Sequence, residues 1–362
     1  MAKKKVLVAM SGGVDSSVAL SILLEEGYEC IGVTMKLWEN KDPISNVVRN
    51  SNCNTVEAIN GAKMVCDRLG VHHYTLDFMD VFKKNVVDDF SKEYLSGRTP
   101  NPCVRCNSIV KWDTLLQQAD ILGIDYIATG HYARVQHETN SSYLLKGADA
   151  LKDQSYMLWQ INPEALKRTL LPLGEMTKAE TREYANSHGL ETAQTPESMD
   201  LCFVSGNDYS KFLNEIMPEK MNAVTPGNIM DEKGKVVGEH TGFTNYTIGQ
   251  RKGIGVAFPE PRYVKKINPM DNSIVIARKD AMYTDHCYTS ELNWFIQPPT
   301  NSKKTFAQIR YNSKGSDATV VNENGNYRVN FSEPQLAVTP GQSIVFYDDN
   351  KLVGGGIIEV KN

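Results

Sequence analysis

Six residues, Ser11-Gly12-Gly13-Val14-Asp15-Ser16, constrain this chain more than any others because of what flanks them. Before them run five apolar residues, Val6 to Met10, which predict a buried parallel strand. After them Val18, Leu20, Ile22, Leu23 and Leu24 recur at helical spacing up to Gly27. A strand, a small-residue turn and a helix start together make an anion site, where unpaired backbone N–H groups and the positive helix end converge. The two glycines let a phosphate approach the backbone with no Cβ in the way. The stretch lacks the closing Lys-Ser/Thr of a Walker A loop and the pattern G-x-G-x-x-G. The plainer alternative is a turn in which Asp15 or Ser16 merely caps the helix.

At 362 residues the chain can hold two or three domains with sizeable cores. Over residues 1–207 short apolar runs alternate with helical patterns, which predicts an α/β fold with a doubly wound parallel sheet. Residues 30–35, 73–78 and 126–131 predict further strands, 82–95 and 109–122 helices, and 38–54 a long loop. Residues 97–102, Gly-Arg-Thr-Pro-Asn-Pro, are excluded from helix by their prolines. Thr177-Lys178-Ala179-Glu180 is a capping box that opens another helix. From residue 208 onward, short alternating runs broken by Gly, Pro, Asn and Asp replace these periods. A small, mainly β central domain is expected over 208–280, with hairpins at 229–237 and 263–276. An antiparallel β-barrel is expected over 281–362, with runs at 305–311, 318–321 and 343–347.

A formal net charge of −4 gives no general affinity for nucleic acid, so RNA contacts have to come from local basic patches. No apolar run has the length of a membrane span, and the lysine-rich start precedes too short an apolar stretch for a signal peptide. Seven unevenly spaced cysteines do not suggest a secreted disulfide scaffold, so a cytoplasmic protein with no membrane partner is expected. Cys30 and Cys66 read as small buried hydrophobes, while Cys53 and Cys287 have no telling context. Cys103 and Cys106 follow Asn101-Pro102, and Cys202 lies in Met199-Asp200-Leu201-Cys202-Phe203. Asn107 and Ser108 are placed to cap a helix starting at Ile109, and a thiol at such a terminus is partly thiolate, which makes Cys106 a candidate nucleophile. A structural zinc site needs four ligands, and the sequence has no second C-x-x-C.

Ser-Gly-Gly-x-Asp-Ser resembles the PP-loop of the ATP pyrophosphatases, which cleave ATP to AMP and pyrophosphate and adenylate their substrates. Farther along come Thr99-Pro100-Asn101-Pro102 ahead of Cys106-Asn107, Ala128-Thr129-Gly130-His131-Tyr132, Lys152-Asp153-Gln154-Ser155-Tyr156 and Cys202-Phe203. Gly249-Gln250-Arg251-Lys252-Gly253, Val338-Thr339-Pro340-Gly341-Gln342 and Gly354-Gly355-Gly356-Ile357-Ile358-Glu359 follow. Together these motifs resemble the tRNA-specific 2-thiouridylase family over essentially the whole chain. That family replaces the C2 oxygen of the wobble uridine of certain tRNAs with sulfur. The resemblance implies that ATP lies against Ala9, Met10, Ser11, Gly12, Gly13, Val14, Asp15 and Ser16, with Met35 and Gly130, and that Asp15 helps to hold Mg²⁺. Adenylation would turn the uracil oxygen into a leaving group. Cys202 would match the family's persulfide, loaded by a sulfur-carrier protein, and Cys106 the nucleophile that frees the sulfur. A Cys106–Cys202 disulfide would remain for a thiol reductant to open. Asn101, Pro102 and Cys103 would contact the flipped-out base.

At Cys103 many members of the family carry Asp in a general acid/base role. With Cys103, Cys106 and Cys202 the chain has the three-cysteine set of related tRNA thiolases that hold a [4Fe–4S] cluster, so the persulfide and cluster routes both stay open at this point. The resemblance also implies tRNA contacts at His131, Lys152, Asp153, Gln154, Arg310, Tyr311 and Gln342. Each has an ordinary reading beside it: Asp153 as a helix cap, His131 as a structural histidine, the barrel residues as strand and turn surface. Two rival functions are another PP-loop tRNA-modifying ligase, which needs no reactive cysteines, and a non-catalytic tRNA-binding protein that uses ATP as a conformational ligand.

Overall fold

The computed structural model describes residues 3–41, 48–49, 56–139, 141–196, 201–204, 206 and 208–359. Cys53, Met199 and Asp200 lie outside the described residues, as does most of the expected loop at 38–54. The chain forms two compact units: residues 1–86, 103–207 and 349–352, and residues 87–102, 208–348 and 353–362.

In the first unit the apolar run becomes β1 (Lys5–Ala9), the turn passes into α1 (Val14–Glu25), and β2 (Glu29–Lys36) follows. Helix α2 (Val56–Arg68) leads to β3 (His72–Asp77), and β4 (Tyr126–Ala128) comes after the helices of the middle stretch. A hairpin of β5 (Ala133–His137) and β6 (Ser142–Lys146) precedes β7 (Thr169–Leu170) and α3 (Lys178–Ser187). The sheet is parallel in the order β3-β2-β1-β4-β7, so the chain steps outward from β1 through β2 to β3 and then returns to the other side of β1 with β4. That reversal opens a crevice beyond the strand C-termini between β1 and β4, the place where doubly wound sheets take their ligands. Val6, Val8, Met10, Leu20, Leu23, Val65 and Ala128 fill one core beside the sheet. Helix α1 is buried on most of its circumference, which is why small Ser16, Ser17 and Ser21 alternate with its apolar residues.

Two helices depart from the sequence expectation. Residues 79–95 form one run with a π-helical stretch at Lys83–Val87. The run expected over 109–122 spans 102–121 instead: α-helical at Pro102–Arg105, π-helical at Cys106–Thr114 and α-helical at Leu115–Ile121. Pro102 opens this helix at its first position, where a missing N–H costs nothing and the fixed φ suits the turn.

In the second unit β8 (Gly227–Met230), β9 (Val236–His240), β10 (Tyr263–Asn268) and β11 (Ser273–Ala277) pair in the order β9-β8-β11-β10. Then β12 (Tyr283–Trp294), β13 (Ser302–Gln308), β14 (Ser316–Glu323), β15 (Asn326–Leu336), β16 (Ser343–Asp348) and β17 (Lys351–Glu359) form a barrel. Pairing of β12 with β17 closes it, and Ala318, Val320, Val329, Phe331, Ile344 and Phe346 lie in its core. The strand expected over 305–311 ends at Gln308, because Arg310 to Ser313 turn back on themselves. No helix among the described residues is long and apolar enough to cross a membrane.

Candidate functional site

The loop after β1 is shaped by its own small side chains. Ser16 Oγ accepts the Ser11 N–H at 3.1 Å and donates to the Gly13 carbonyl at 3.1 Å, while Ser17 Oγ donates to the same carbonyl at 2.9 Å. No side chain caps α1, so its first amides are left to whatever sits above the loop. Gly12 has φ +78°, and a Cβ there would stand 2.2 Å from the Ala58 carbonyl oxygen of α2, so only glycine fits. A Cβ at Gly130, just after β4, would stand 2.9 Å from the Ser16 nitrogen. The switch point therefore brings Gly130 against the loop, with Ala9 and Met10 at the end of β1 and Met35 near the end of β2. Thr34 Oγ1 donates to the Met10 carbonyl at 3.0 Å, which leaves the His73 Nε2, 2.8 Å away, to donate to Thr34.

Asp15, in the first turn of α1, meets a cation that sequence spacing could not reveal. Lys178 Nζ lies 2.7 and 2.9 Å from its two carboxylate oxygens, and the Lys178 side chain is only 12% exposed. The capping box places it: Thr177 and Glu180 cap α3 reciprocally, and Lys178 is that helix's first residue. Tyr132 Oη donates to Asp15 Oδ1 at 2.8 Å and lies 3.0 Å from Thr181 Oγ1. Tyr132 belonged to a motif already singled out, whereas Lys178 carried no local signal beyond the capping box.

Cys106 does not start a helix. It lies inside the 102–121 run, at the first residue of the π-helical stretch, and is buried. Asn107 and Ser108 do not cap: Asn107 Nδ2 donates to the Met157 carbonyl at 3.0 Å and Ser108 Oγ to the Gln160 carbonyl at 2.9 Å. The thiol at the helix start is instead that of Cys103, exposed one residue after Pro102. Cys202 is half-buried next to Phe203 and Val204, and Phe203 packs edge-on against Phe82 at 5.6 Å. Cys30, Cys66 and Cys287 are buried, and burial pushes their thiols up to about 11, 12 and 12, as inert core residues require. Among the described residues no three His, Cys, Asp or Glu side chains stand together as a metal-binding group. Cys103, Cys106 and Cys202 thus do not present a cluster-holding set in this structure.

Residues 4–206 match the family described as the tRNA methyl transferase HUP domain, 210–278 the tRNA methyl transferase PRC-barrel domain, and 284–358 the aminomethyltransferase beta-barrel domain. Among solved structures, the U34-tRNA thiolase NcsA from Methanococcus maripaludis has a TM-score of 0.34 and 17% identity, over 62% of this chain and 70% of that one. The tRNA-specific 2-thiouridylase MnmA of Carboxydothermus hydrogenoformans is 48% identical over 365 residues, 99% of this chain and 98% of the relative. That of Acetivibrio thermocellus is 45% identical over 363 residues, 99% of this chain and 100% of the relative. The chain belongs to the tRNA-specific 2-thiouridylase family.

The residues that a 2-thiouridylase of this sequence is expected to turn toward tRNA are held in different ways. His131 Nδ1 is 2.7 Å from Thr129 Oγ1 and its ring lies 5.5 Å from that of Trp112. Burial, reinforced by Lys111, holds its pKa well below 6.5, so the imidazole is neutral at pH 7. Asp153 accepts from the N–H groups of Gly147 and Ser155 and from Ser155 Oγ, which makes it a loop and helix-start anchor. Gln154 Oε1 accepts the Tyr132 N–H at 2.9 Å, tying this segment to the residue that holds Asp15. Lys152 is half-buried beside them. All of these belong to the first unit, with the loop and the three cysteines. Asn101, Pro102, Arg310, Tyr311 and Gln342 belong to the second. There Arg310 Nη2 donates to the Leu336 carbonyl at 2.7 Å, and Gln308 Nε2 donates to the Tyr311 carbonyl at 2.7 Å. Gln342 Nε2 donates to the carbonyls of Thr99 at 2.8 Å and Pro100 at 3.1 Å.

Proposed function

We propose that this chain is an ATP-dependent tRNA-uridine 2-sulfurtransferase that acts on the wobble uridine by the persulfide route. The full-length match to 2-thiouridylases carries the reading. The uncapped loop at the switch point supports it, because ATP bound there would present its phosphates to the α1 amides and the small residues from Ser11 to Ser16. Asp15 is the carboxylate that would hold a nucleotide-borne Mg²⁺, an ion that would have to displace or share Lys178.

The uracil C2 oxygen attacks the α-phosphorus of ATP and expels pyrophosphate, which leaves C2 bonded to an adenylated oxygen. The terminal sulfur of a Cys202 persulfide then adds to C2, and AMP departs with the oxygen. A C2–S–S–Cys202 linkage remains. Attack by the Cys106 sulfur on the Cys202 sulfur breaks the S–S bond, passes the Cys106 proton to the departing 2-thiouridine and leaves a Cys106–Cys202 disulfide. A dithiol reductant returns both thiols with two electrons, and a persulfide carrier reloads Cys202. Asn101, Pro102 and Cys103 would hold the base out of its stack during these steps. No step runs through iron.

The test is thiolation of an unmodified tRNA transcript by anaerobically purified protein, with iron and acid-labile sulfide quantified. Iron-free protein supplied with a persulfide donor is expected to form 2-thiouridine, AMP and pyrophosphate together. Cys202→Ser should bind ATP and form no 2-thiouridine. Activity only with bound iron would replace the persulfide route by the cluster route. Full thiolation by Cys202→Ser would remove Cys202 from the route, tRNA-dependent nucleotide turnover with no 2-thiouridine would point to another PP-loop ligase, and no nucleotide turnover at all would favour a binding protein.

A further inference from the structure

Residues 97–102 sit inside the N-terminal family match, yet they pack with the second unit. Gly97 has φ +69°, and a Cβ there would stand 2.7 Å from the Pro269 ring that follows β10. Arg98 forks: Nε donates to Glu93 at 2.7 Å, while Nη1 and Nη2 both reach the Glu359 carboxylate at the end of β17. Ser290 of β12 donates to the same carboxylate at 2.7 Å. The Thr99 N–H donates to the Pro340 carbonyl at 2.9 Å, and Gln342 takes the Thr99 and Pro100 carbonyls. Gly341 has φ +89° and lies so close that a Cβ would stand 3.0 Å from the Thr99 nitrogen and oxygen. The Arg98 side chain is 22% exposed, so its fork is shielded from competing water.

We propose that the C-terminal barrel is the positioning element for the base-contacting segment: Glu359 acting through Arg98, and Gln342 acting through the Thr99 and Pro100 carbonyls, fix Asn101 and Pro102 for the reaction. This rests on the function proposed above. It makes Gln342 a residue that holds protein backbone, where the family resemblance makes it a contact to tRNA. These six hydrogen bonds converge on three successive residues, Arg98 to Pro100, and Asn101 and Pro102 follow with no intervening chain to absorb a shift. A small displacement of a substrate-positioning segment is enough to slow a reaction without loosening the complex.

The experiment compares wild-type, Gln342→Met and Arg98→Lys full-length proteins. Gln342→Met keeps the side-chain bulk and removes the donor, and Arg98→Lys keeps the charge and removes the fork. Single-turnover thiolation of a tRNA transcript by polysulfide-loaded enzyme should slow by about ten-fold or more, with the transcript's Kd within about twofold of wild type. Amide exchange in a peptide spanning 98–103 should quicken by about ten-fold while exchange in the barrel core is unchanged. A variant that thiolates at the wild-type rate, or shows no faster exchange in 98–103, overturns the proposal. So does a rate loss accounted for entirely by weaker tRNA binding, which would return Gln342 to direct contact. If the wild-type protein thiolates nothing, the proposed function fails, while the exchange comparison still judges the clamp.

Discussion

Lys178 reaches Asp15 from 163 residues farther along the chain, and with Tyr132 it gives the loop the cation that its own sequence lacks. In the proposed reaction this ammonium would meet the charge that develops on departing pyrophosphate. Lys178→Met should lower tRNA-dependent AMP formation by about ten-fold or more, with Lys178→Arg recovering part of the loss, both read by nucleotide chromatography. His131 is a second residue-scale case. Its folded pKa lies well below 6.5 because of burial, whereas the unfolded side chain titrates near 6.5. Below that pH the unfolded state binds the extra proton, so the contribution of His131 is fully present above it and is lost as the pH falls. The urea midpoint should therefore drop between neutral pH and about pH 5, and His131→Asn should make the drop smaller. His73 and His240 are also lowered by burial, so some slope should survive the substitution.

The element that carries Cys103 and Cys106 is tied to its surroundings by its own side chains, Asn107, Ser108 and Trp112. Trp112 Nε1 donates to Thr169 Oγ1 at 3.0 Å, and Thr169 in turn donates to the Ala165 carbonyl; Trp112 and Thr169 have no solvent access. Trp112→Phe leaves the Thr169 hydroxyl without that donor and opens space beside it; a loss of about 1–3 kcal/mol in urea denaturation is expected. The apolar strands and the Thr177 capping box follow from patterns within a few residues, and they lie where the sequence puts them. The helix starts at Pro102 and not at Ile109, because proline, a breaker inside a helix, is favoured at its first position. The π-helical stretch has no propensity signature of its own; tertiary hydrogen bonds from Asn107, Ser108 and Trp112 accompany it. The hairpin of β5 and β6 lies outside the sequence expectation, although Ala133 to Gln136 alternate apolar and polar residues. Of the site, the loop and Gly130 were readable from small residues at strand ends, while Lys178 and the Arg98 fork required the fold.

At the scale of the whole molecule, activation and sulfur chemistry are encoded in separate stretches that only the folded chain can bring into one reaction sequence. In the proposed reaction the loop and Lys178 would serve adenylation of the C2 oxygen, and Cys202 and Cys106 would serve the replacement of that oxygen, leaving as part of AMP, by sulfur. The two halves can be separated by removing the thiol that performs the last step. In Cys106→Ser the persulfide on Cys202 can still add to the adenylated base, so AMP and pyrophosphate should appear, but nothing then cleaves the C2–S–S–Cys202 linkage. The tRNA should remain covalently attached, seen as a slower band on a denaturing gel, and a small-molecule thiol should release it as 2-thiouridine. One equivalent of AMP per enzyme is the expected limit, because the trapped tRNA blocks the next cycle. Wild-type protein without reductant should also stop after one 2-thiouridine per enzyme, yet with no trapped tRNA, because its disulfide joins two protein thiols. An adduct in the wild type, or free 2-thiouridine from Cys106→Ser without added thiol, would reverse the order assigned to the two cysteines.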